Sequence, residues 1–296
     1  MVNKNYSERY GTYEWFENKF KLSSGDPWGH NWRGVEQYRH ERVIKFIVKY
    51  ILKENNTYDG LNILDIGCAT GDFTKRLYEL NKNVIGIDIS KIAIERAKTK
   101  YNYIDFRNCS LPELHIQGRS FDLITCLEVI YYLDEHLKKN FLIEIKKLLN
   151  RGGKALVTSK IGEKPYFEPE ELISLLSDNS FKVKAIAYYG NSFFSGVEKK
   201  LFDKYMQINR FHKLLFLSYQ KLEEELSLNE NKMIKEIINY LVRYEVIKLI
   251  TCSFLQLLKG MIKILLVWKF PAKVFNFIAN KLFLKHTHTF ILITKE

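Results

Sequence analysis

Leu61-Asn62-Ile63-Leu64-Asp65-Ile66-Gly67-Cys68-Ala69-Thr70-Gly71-Asp72-Phe73-Thr74, running on to Asn83-Val84-Ile85-Gly86-Ile87-Asp88-Ile89-Ser90, is the stretch that decides the fold. Ile63 to Ile66 is a short apolar run with an acid near its end, Gly67 to Gly71 is a turn in which small residues recur, and Phe73 to Leu77 opens a helix. A second apolar run, Val84 to Ile87, ends in Asp88. Strand, glycine turn, helix, strand and acid make the first half of a nucleotide-binding α/β domain. The glycines let backbone approach a ligand closely, and a carboxylate at the tip of the second strand can accept both hydroxyls of a ribose.

A dinucleotide fingerprint needs Gly-x-Gly-x-x-Gly, so that a pyrophosphate can rest on a helix N-terminus. Here the spacing is Gly67-x-Ala69-x-Gly71, with Asp65 before the turn and Asp72 after it. Two carboxylates there repel a diphosphate and suit a ligand carrying a cation, such as an ammonium or a sulfonium. This turn resembles motif I of the class I S-adenosylmethionine-dependent methyltransferases, with Ala69 where that pattern prefers its middle glycine. The alanine is expected to keep a negative φ there.

Other landmarks of that superfamily follow. Phe121 to Leu133 looks like the fourth strand and the loop leaving its tip. Leu148-Leu149-Asn150-Arg151-Gly152-Gly153-Lys154-Ala155-Leu156-Val157 looks like a helix end, a glycine turn and the fifth strand. Phe106-Arg107-Asn108-Cys109 resembles the segment that borders adenine, with Asn108 in place of the usual acid. At the ends of this core, Gly25-Asp26-Pro27-Trp28-Gly29-His30 with Glu36-Gln37-Tyr38-Arg39, and Glu128-Val129-Ile130-Tyr131-Tyr132-Leu133, resemble nodulation protein S-type N-methyltransferases, which methylate an amino-sugar nitrogen.

The resemblance implies a Rossmann-like class I methyltransferase: a seven-stranded, mostly parallel sheet with an antiparallel last strand, an N-terminal helical lid and a helical insertion before the last strand. The implied division is 1–58 for the lid, 59–190 for the cofactor-binding core, 191–284 for the insertion and 285–296 for the final strand. It implies S-adenosyl-L-methionine as cofactor. The cofactor contacts would be Asp65 near the methionine ammonium, Gly67, Cys68, Ala69 and Gly71 in the turn, and Asp88 on the ribose. Ile89, Asn108 and Cys109 would lie beside the base, with Trp28 and Arg33 from the lid. Glu128, His30 and Tyr131 are the candidates for holding the acceptor and taking its proton. Support of the cofactor or loop is the other role open to Glu128. The aromatic loop 23–34 either lines the acceptor pocket or packs the first helix onto the core.

Composition bounds the rest. The 296 residues, 46% apolar, can bury a full α/β core with material left for one addition. No apolar leader begins the chain, so no secretory signal is expected. Cys68, Cys109, Cys126 and Cys252 form no Cys-x-x-Cys pair, which argues for reduced thiols, no metal site and a cytoplasmic compartment. Residues 6–20 and 35–54 have the spacing of two amphipathic helices. A sixth strand is expected near Phe181 to Tyr188, and an alternating run, His286 to Thr294, is expected to be the delayed seventh.

The formal charge is +12, and from Val246 to Lys295 no Asp or Glu occurs. Lys259/Lys263, Lys269/Lys273 and Lys281/Lys285 are spaced to share helix faces among Ile, Leu, Phe and Val. Such a segment, 246–285, can lie in a membrane interface at the inner face, cap the sheet or form a homodimer contact. No uncharged stretch reaches the length that spans a bilayer. Leu127-Glu128-Val129-Ile130 stands where base methyltransferases carry Asn/Asp-Pro-Pro-Tyr/Phe, and an acid there faces a phosphate badly, which argues against nucleic acid. The expected acceptor is an amine or hydroxyl of a small molecule, with an amino sugar or lipid-linked saccharide as the leading forms. The alternative is a non-catalytic cofactor-binding module that docks on a membrane or protein through its basic insertion.

Overall fold

The computed structural model describes residues 10–23, 25–52, 60–110, 119–190, 199–208, 256–266 and 286–295. Its centre is a seven-stranded sheet. Strands β1 (Ile63–Ile66), β2 (Val84–Asp88), β3 (Asp105–Asn108), β4 (Phe121–Leu127), β5 (Leu149–Lys160), β6 (Phe181–Tyr189) and β7 (His288–Lys295) lie in the order β3-β2-β1-β4-β5-β7-β6. The first five run parallel, and β7 enters antiparallel between β5 and β6.

Both faces of the sheet are covered, as parallel sheets require. Side chains alternate along β1: Leu64 and Ile66 face one core layer with Phe141, Leu142 and Ile145, while Ile63 faces the other with Val43, Phe46 and Leu77. Helices α1 (Tyr13–Lys21) and α2 (Gly34–Ile47) precede the sheet, and α2 runs on as a π-helical turn, Val48–Leu52. Then come α3 (Asp72–Leu80), α4 (Lys91–Lys100), α5 (Glu135–Leu148) and α6 (Pro169–Asp178). The two expected N-terminal helices are therefore present, and the first begins only where Thr12 caps it by accepting from Trp15 N–H at 3.3 Å.

Two local expectations change. Ala69 adopts φ +48°, in the left-handed region and not the negative one. Its N–H is drawn to Asp88 Oδ2 at 2.9 Å, and that charge-assisted bond across strands outweighs the alanine's preference. Gly152-Gly153 is not a turn before the fifth strand but part of it. The pairing slips from Phe121↔Leu149 to Leu123↔Lys154, and the extra residues form a bulge. Gly152 at φ +79° accommodates the bend, and a Cβ on Gly153 would lie 2.8 Å from the Phe121 carbonyl oxygen.

Both described pieces of the 191–284 segment, 199–208 and 256–266, are helical as its pattern predicts. The segment leaves and returns at one point, where Thr287 N–H donates to Tyr189 O at 3.1 Å. The first of these helices packs Phe202 and Tyr205 against Trp32, and Ile262 and Leu266 of the second join that cluster. Lys269, Lys273, Lys281, Lys285 and Cys252 lie outside the described residues. Among the described residues, no helix is long and apolar enough to cross a membrane.

Candidate active site

β1 pairs with β2 on one side and β4 on the other, so the crevice of this open α/β sheet lies beyond the carboxyl ends of these three strands. The register puts Ile66 beside Ile87 and Cys126. Gly67, Asp88 and Glu128, each one or two residues further on, therefore gather at one edge. A cavity of about 400 Å³ opens there, and a second of about 50 Å³ lies beside it. Five residues border both: His30, Arg39, Gly67, Ala69 and Leu127.

Asp88 is anchored from two sides. Its Oδ2 accepts from Ala69 N–H at 2.9 Å and its Oδ1 from Ser90 N–H at 2.8 Å. Each oxygen keeps acceptor capacity, and the residue lines the larger cavity with Ile89, Cys109 and Ser110. Burial pushes its pKa up to about 6, although the two N–H donors act the other way. Asp65 is deeper, with its oxygens accepting from Thr74 Oγ1 at 2.6 Å and Thr125 Oγ1 at 2.7 Å. Burial also raises Asp65 to about 6. It borders the small cavity with Cys68, and neither lines the large one.

Asn108 lines neither cavity. Its Nδ2 donates to the carbonyl oxygens of Asp88 at 3.1 Å and Ile89 at 2.7 Å, so it braces the strand end and leaves Cys109 and Ser110 facing the cavity. Gly71 also lines neither; at φ +80° it ends the turn and starts α3, and a Cβ there would meet Phe106 at 2.6 Å.

Glu128 sits at φ +61° just past β4. Thr158 Oγ1 donates to its Oε1 at 2.8 Å, and Arg39 Nη1 lies 3.7 Å from the same oxygen. Its Oε2 is buried and has no hydrogen-bond partner among the described residues. Arg39 Nη1 and His40 Nδ1 are in the same condition. Arg39 is fixed by Glu36, whose Oε2 accepts from Nε at 2.9 Å and lies 2.8 Å from Nη2. Burial works against an ionised Glu36, but Arg39 and Arg33 hold its carboxyl well below the usual range. Burial, with Arg39 and His30 nearby, keeps His40 neutral.

The cavity's outer wall is aromatic: Phe16 and Phe20 from α1, Trp28 from the loop, and Tyr131 and Tyr132 from the 3₁₀ turn Ile130–Tyr132. Rings of Trp15, Phe16, Trp28 and Tyr132 pack with centroids 5.0–6.5 Å apart, so the loop both lines the cavity and packs the first helix. Burial, with Glu128 nearby, pushes the Tyr131 phenol well above its ordinary pKa. Tyr131 can therefore donate a hydrogen bond but is a poor base. Arg33 Nη1 donates to Trp28 O at 2.9 Å, bracing the loop.

Glu36, Arg39 and His40 are functional candidates that sequence reasoning left unassigned. The Glu36-Gln37-Tyr38-Arg39-His40 run reads as one turn of an amphipathic helix, and only packing α2 across the mouth of the turn aims Arg39 and His40 inward.

A nucleoside held through its ribose at Asp88 and an amino-acid end reaching the small cavity fit these residues. Asp65 offers negative charge to an ammonium, and the orphaned Arg39 and His40 nitrogens offer donors to a carboxylate. The strand order and this site define the class I S-adenosylmethionine-dependent methyltransferase fold.

Comparison with known proteins agrees. Residues 63–153 match the methyltransferase domain family. Nodulation protein S of Bradyrhizobium diazoefficiens is 29% identical over 116 residues, 38% of this chain and 52% of that protein. The mitochondrial ubiquinone biosynthesis O-methyltransferase of Schizosaccharomyces pombe is 28% identical over 115 residues, 37% of this chain and 41% of that protein. The chain thus spans about half the length of these curated relatives. The crystal structure of the N-methyltransferase NodS from Bradyrhizobium japonicum, in complex with S-adenosyl-L-homocysteine, superposes with a TM-score of 0.51 at 24% identity. That match covers 62% of this chain and 92% of that one, and it shows the shared fold. The chain thus has the class I S-adenosylmethionine-dependent methyltransferase fold, residues 63–153 match the methyltransferase domain family, and nodulation protein S is among the proteins it is similar to.

Proposed function

We propose that the chain moves a methyl group from S-adenosylmethionine to an amine nitrogen of a small molecule with an apolar body. The observation that carries the choice of nitrogen is Glu128 Oε2, a buried carboxylate oxygen without a partner among the described residues, on the wall of the large cavity. An N–H or O–H of the acceptor is the donor it lacks, and a carboxylate there also balances the positive charge that develops on a methylated nitrogen, which favours the amine. Asp88 would hold the ribose, and Arg39, His40 and Asp65 the amino-acid end. The bound cofactor supplies an activated methyl group, so the protein's share is chiefly to orient the acceptor and exclude water. Phe16, Trp28 and Tyr132 suit an apolar or sugar-ring body against their faces.

A membrane-facing, lipid-linked acceptor is the leading form of this reading. Helix 256–266 exposes Leu257, Met261, Ile264 and Leu265, and it carries Lys259 and Lys263. A basic, apolar helix of this kind favours an anionic lipid surface. The test is transfer of a labelled methyl group into an extract of the host, partitioned between organic and aqueous phases. Label in the organic phase supports the lipid-linked acceptor, and label in the aqueous phase supports a free amine or amino sugar. Cofactor binding with no label in either phase would make the chain a binding module and overturn the enzymatic reading.

A further inference from the structure

Asp26-Pro27-Trp28-Gly29-His30 folds into a turn built around one carboxylate. Asp26 Oδ1 accepts from Trp28 N–H at 3.0 Å, and Oδ2 accepts from the His30 N–H. Gly29 N–H closes the turn on Asp26 O at 3.2 Å, and Gly29 itself sits at φ +71°. Arg96 of α4 clamps the preceding loop through the carbonyls of Gly25 at 2.7 Å and Ser23 at 2.8 Å. The chain thereby curls back far enough to bring the His30 imidazole onto the same carboxylate, with Nδ1 3.2 Å from Asp26 Oδ2. The Asp26 side chain is fully enclosed, while His30 keeps 27% of its side chain accessible. Trp28 stacks on the imidazole at 5.9 Å and 19°, fixing the ring plane.

Two features make this more than a loop contact. The carboxylate engages Nδ1, which leaves Nε2 as the basic nitrogen of the neutral ring. His30 also stands at the boundary shared by the two cavities. A cofactor whose ribose is at Asp88 and whose amino-acid end is in the small cavity must carry its sulfur across that boundary.

We propose that Asp26 and His30 form a proton-accepting dyad for methyl transfer, with His30 Nε2 as the base and Asp26 as its positioning residue. This rests on the methyltransferase reading above. As the new C–N bond forms and the C–S bond breaks, its electron pair stays on sulfur. The nitrogen then sheds a proton to Nε2, and the imidazolium is balanced by the Asp26 carboxylate. Glu128 orients the amine. The charged and titratable groups around His30 are Asp26 on its own loop, Glu36, Arg39 and His40 on α2, and Asp65 and Asp72 across the small cavity. Burial lowers the affinity of His30 for a proton, but Asp26 and Glu36 more than restore it, and Arg39 opposes them. Burial likewise disfavours an ionised Asp26, yet His30 and the two N–H donors keep its pKa below the ordinary value.

The test uses the full chain with ¹⁵N-labelled histidine and saturating S-adenosylhomocysteine, with His30 assigned by loss of its signals in His30→Gln. Long-range ¹H–¹⁵N spectra report the tautomer without any acceptor. The expected result is a neutral His30 protonated on Nδ1 and titrating above about 6.5. In Asp26→Asn that pKa falls, and the Nδ1 preference is lost. A neutral form protonated on Nε2, or titration below 6.5 in the unmodified protein, overturns the dyad whether or not the variants fold. With labelled cofactor and host extract as acceptor pool, both variants should transfer methyl at least ~10-fold more slowly at pH 7, and Asp26→Asn should shift the acidic limb of the pH profile downward. An unchanged rate and pH profile in folded Asp26→Asn overturns it equally. If the unmodified protein transfers no label, the methyltransferase reading fails, while the spectra still decide the Asp26–His30 arrangement.

Discussion

Removing the Asp88 carboxylate tests the cofactor site most directly. Asp88 accepts one backbone N–H on each oxygen, from Ser90 and Ala69, and its remaining lone pairs face the cavity. Two ribose hydroxyls on an ionised carboxylate are worth about 1.5–3 kcal/mol each, so Asp88→Ala should lose about 3–6 kcal/mol, a factor of roughly 10²–10⁴ in affinity. Asp88→Asn keeps one acceptor oxygen and should lose about half of that free energy. The bound form needs the carboxylate ionised, and burial has raised its pKa from 3.8 to about 6. Binding of S-adenosylhomocysteine to the unmodified protein should therefore strengthen as the pH rises through about 6 and release protons there. Isothermal titration calorimetry in buffers of different ionisation enthalpy reads both quantities. Asp88→Asn should bind more weakly and lose the part of the pH dependence that Asp88 contributes. An affinity within about threefold of the unmodified protein, or an unaltered pH dependence in Asp88→Asn, would remove Asp88 from the cofactor site.

Other perturbations separate the remaining elements. Glu128→Gln should leave S-adenosylhomocysteine affinity within about threefold while slowing methyl transfer at least ~100-fold, as read with labelled cofactor and host extract. Ala69→Gly relieves an alanine at φ +48°, a strain of about 1–2 kcal/mol, against about 0.4–1 kcal/mol of added unfolded-chain entropy. A net gain of about 0.5 kcal/mol should appear in urea unfolding. Gly67→Ala should cost at least ~2 kcal/mol in the same assay, because φ is +72° and Val129 Cγ2 occupies the place of the new Cβ. Asp65 and Asp88 both have folded pKa values raised from 3.8 to about 6. Their contribution to stability is thus fully present below pH 3.8 and is lost as the pH rises through about 6, on the order of 3 kcal/mol each. Without ligand, the melting temperature of the unmodified protein relative to Asp88→Asn should therefore fall between about pH 4 and pH 6 and level off above that.

The sequence determined the elements whose signals are local. Ile63 to Asp88 spells strand, turn, helix and strand within 26 residues, and the rule that ligands lie beyond the strand ends points to Gly67 and Asp88, which both line the large cavity. The alternation in His286 to Thr294 marked the last strand even though about ninety residues separate it from β6. Tertiary structure alone decided where long-range contacts override local preference. Ala69 takes the left-handed conformation because Asp88, nineteen positions away, accepts from its N–H. Gly152 and Gly153 belong inside β5 because pairing with β4 must slip there to continue. Asn108 turns from the cavity to brace two carbonyls. The packing of α2 on one face of the sheet brings Arg39 and His40 to the small cavity, and a five-residue turn brings His30 onto Asp26. Spacing along a chain fixes which face a residue occupies, but which charges meet on that face depends on the register and docking of elements far apart in sequence.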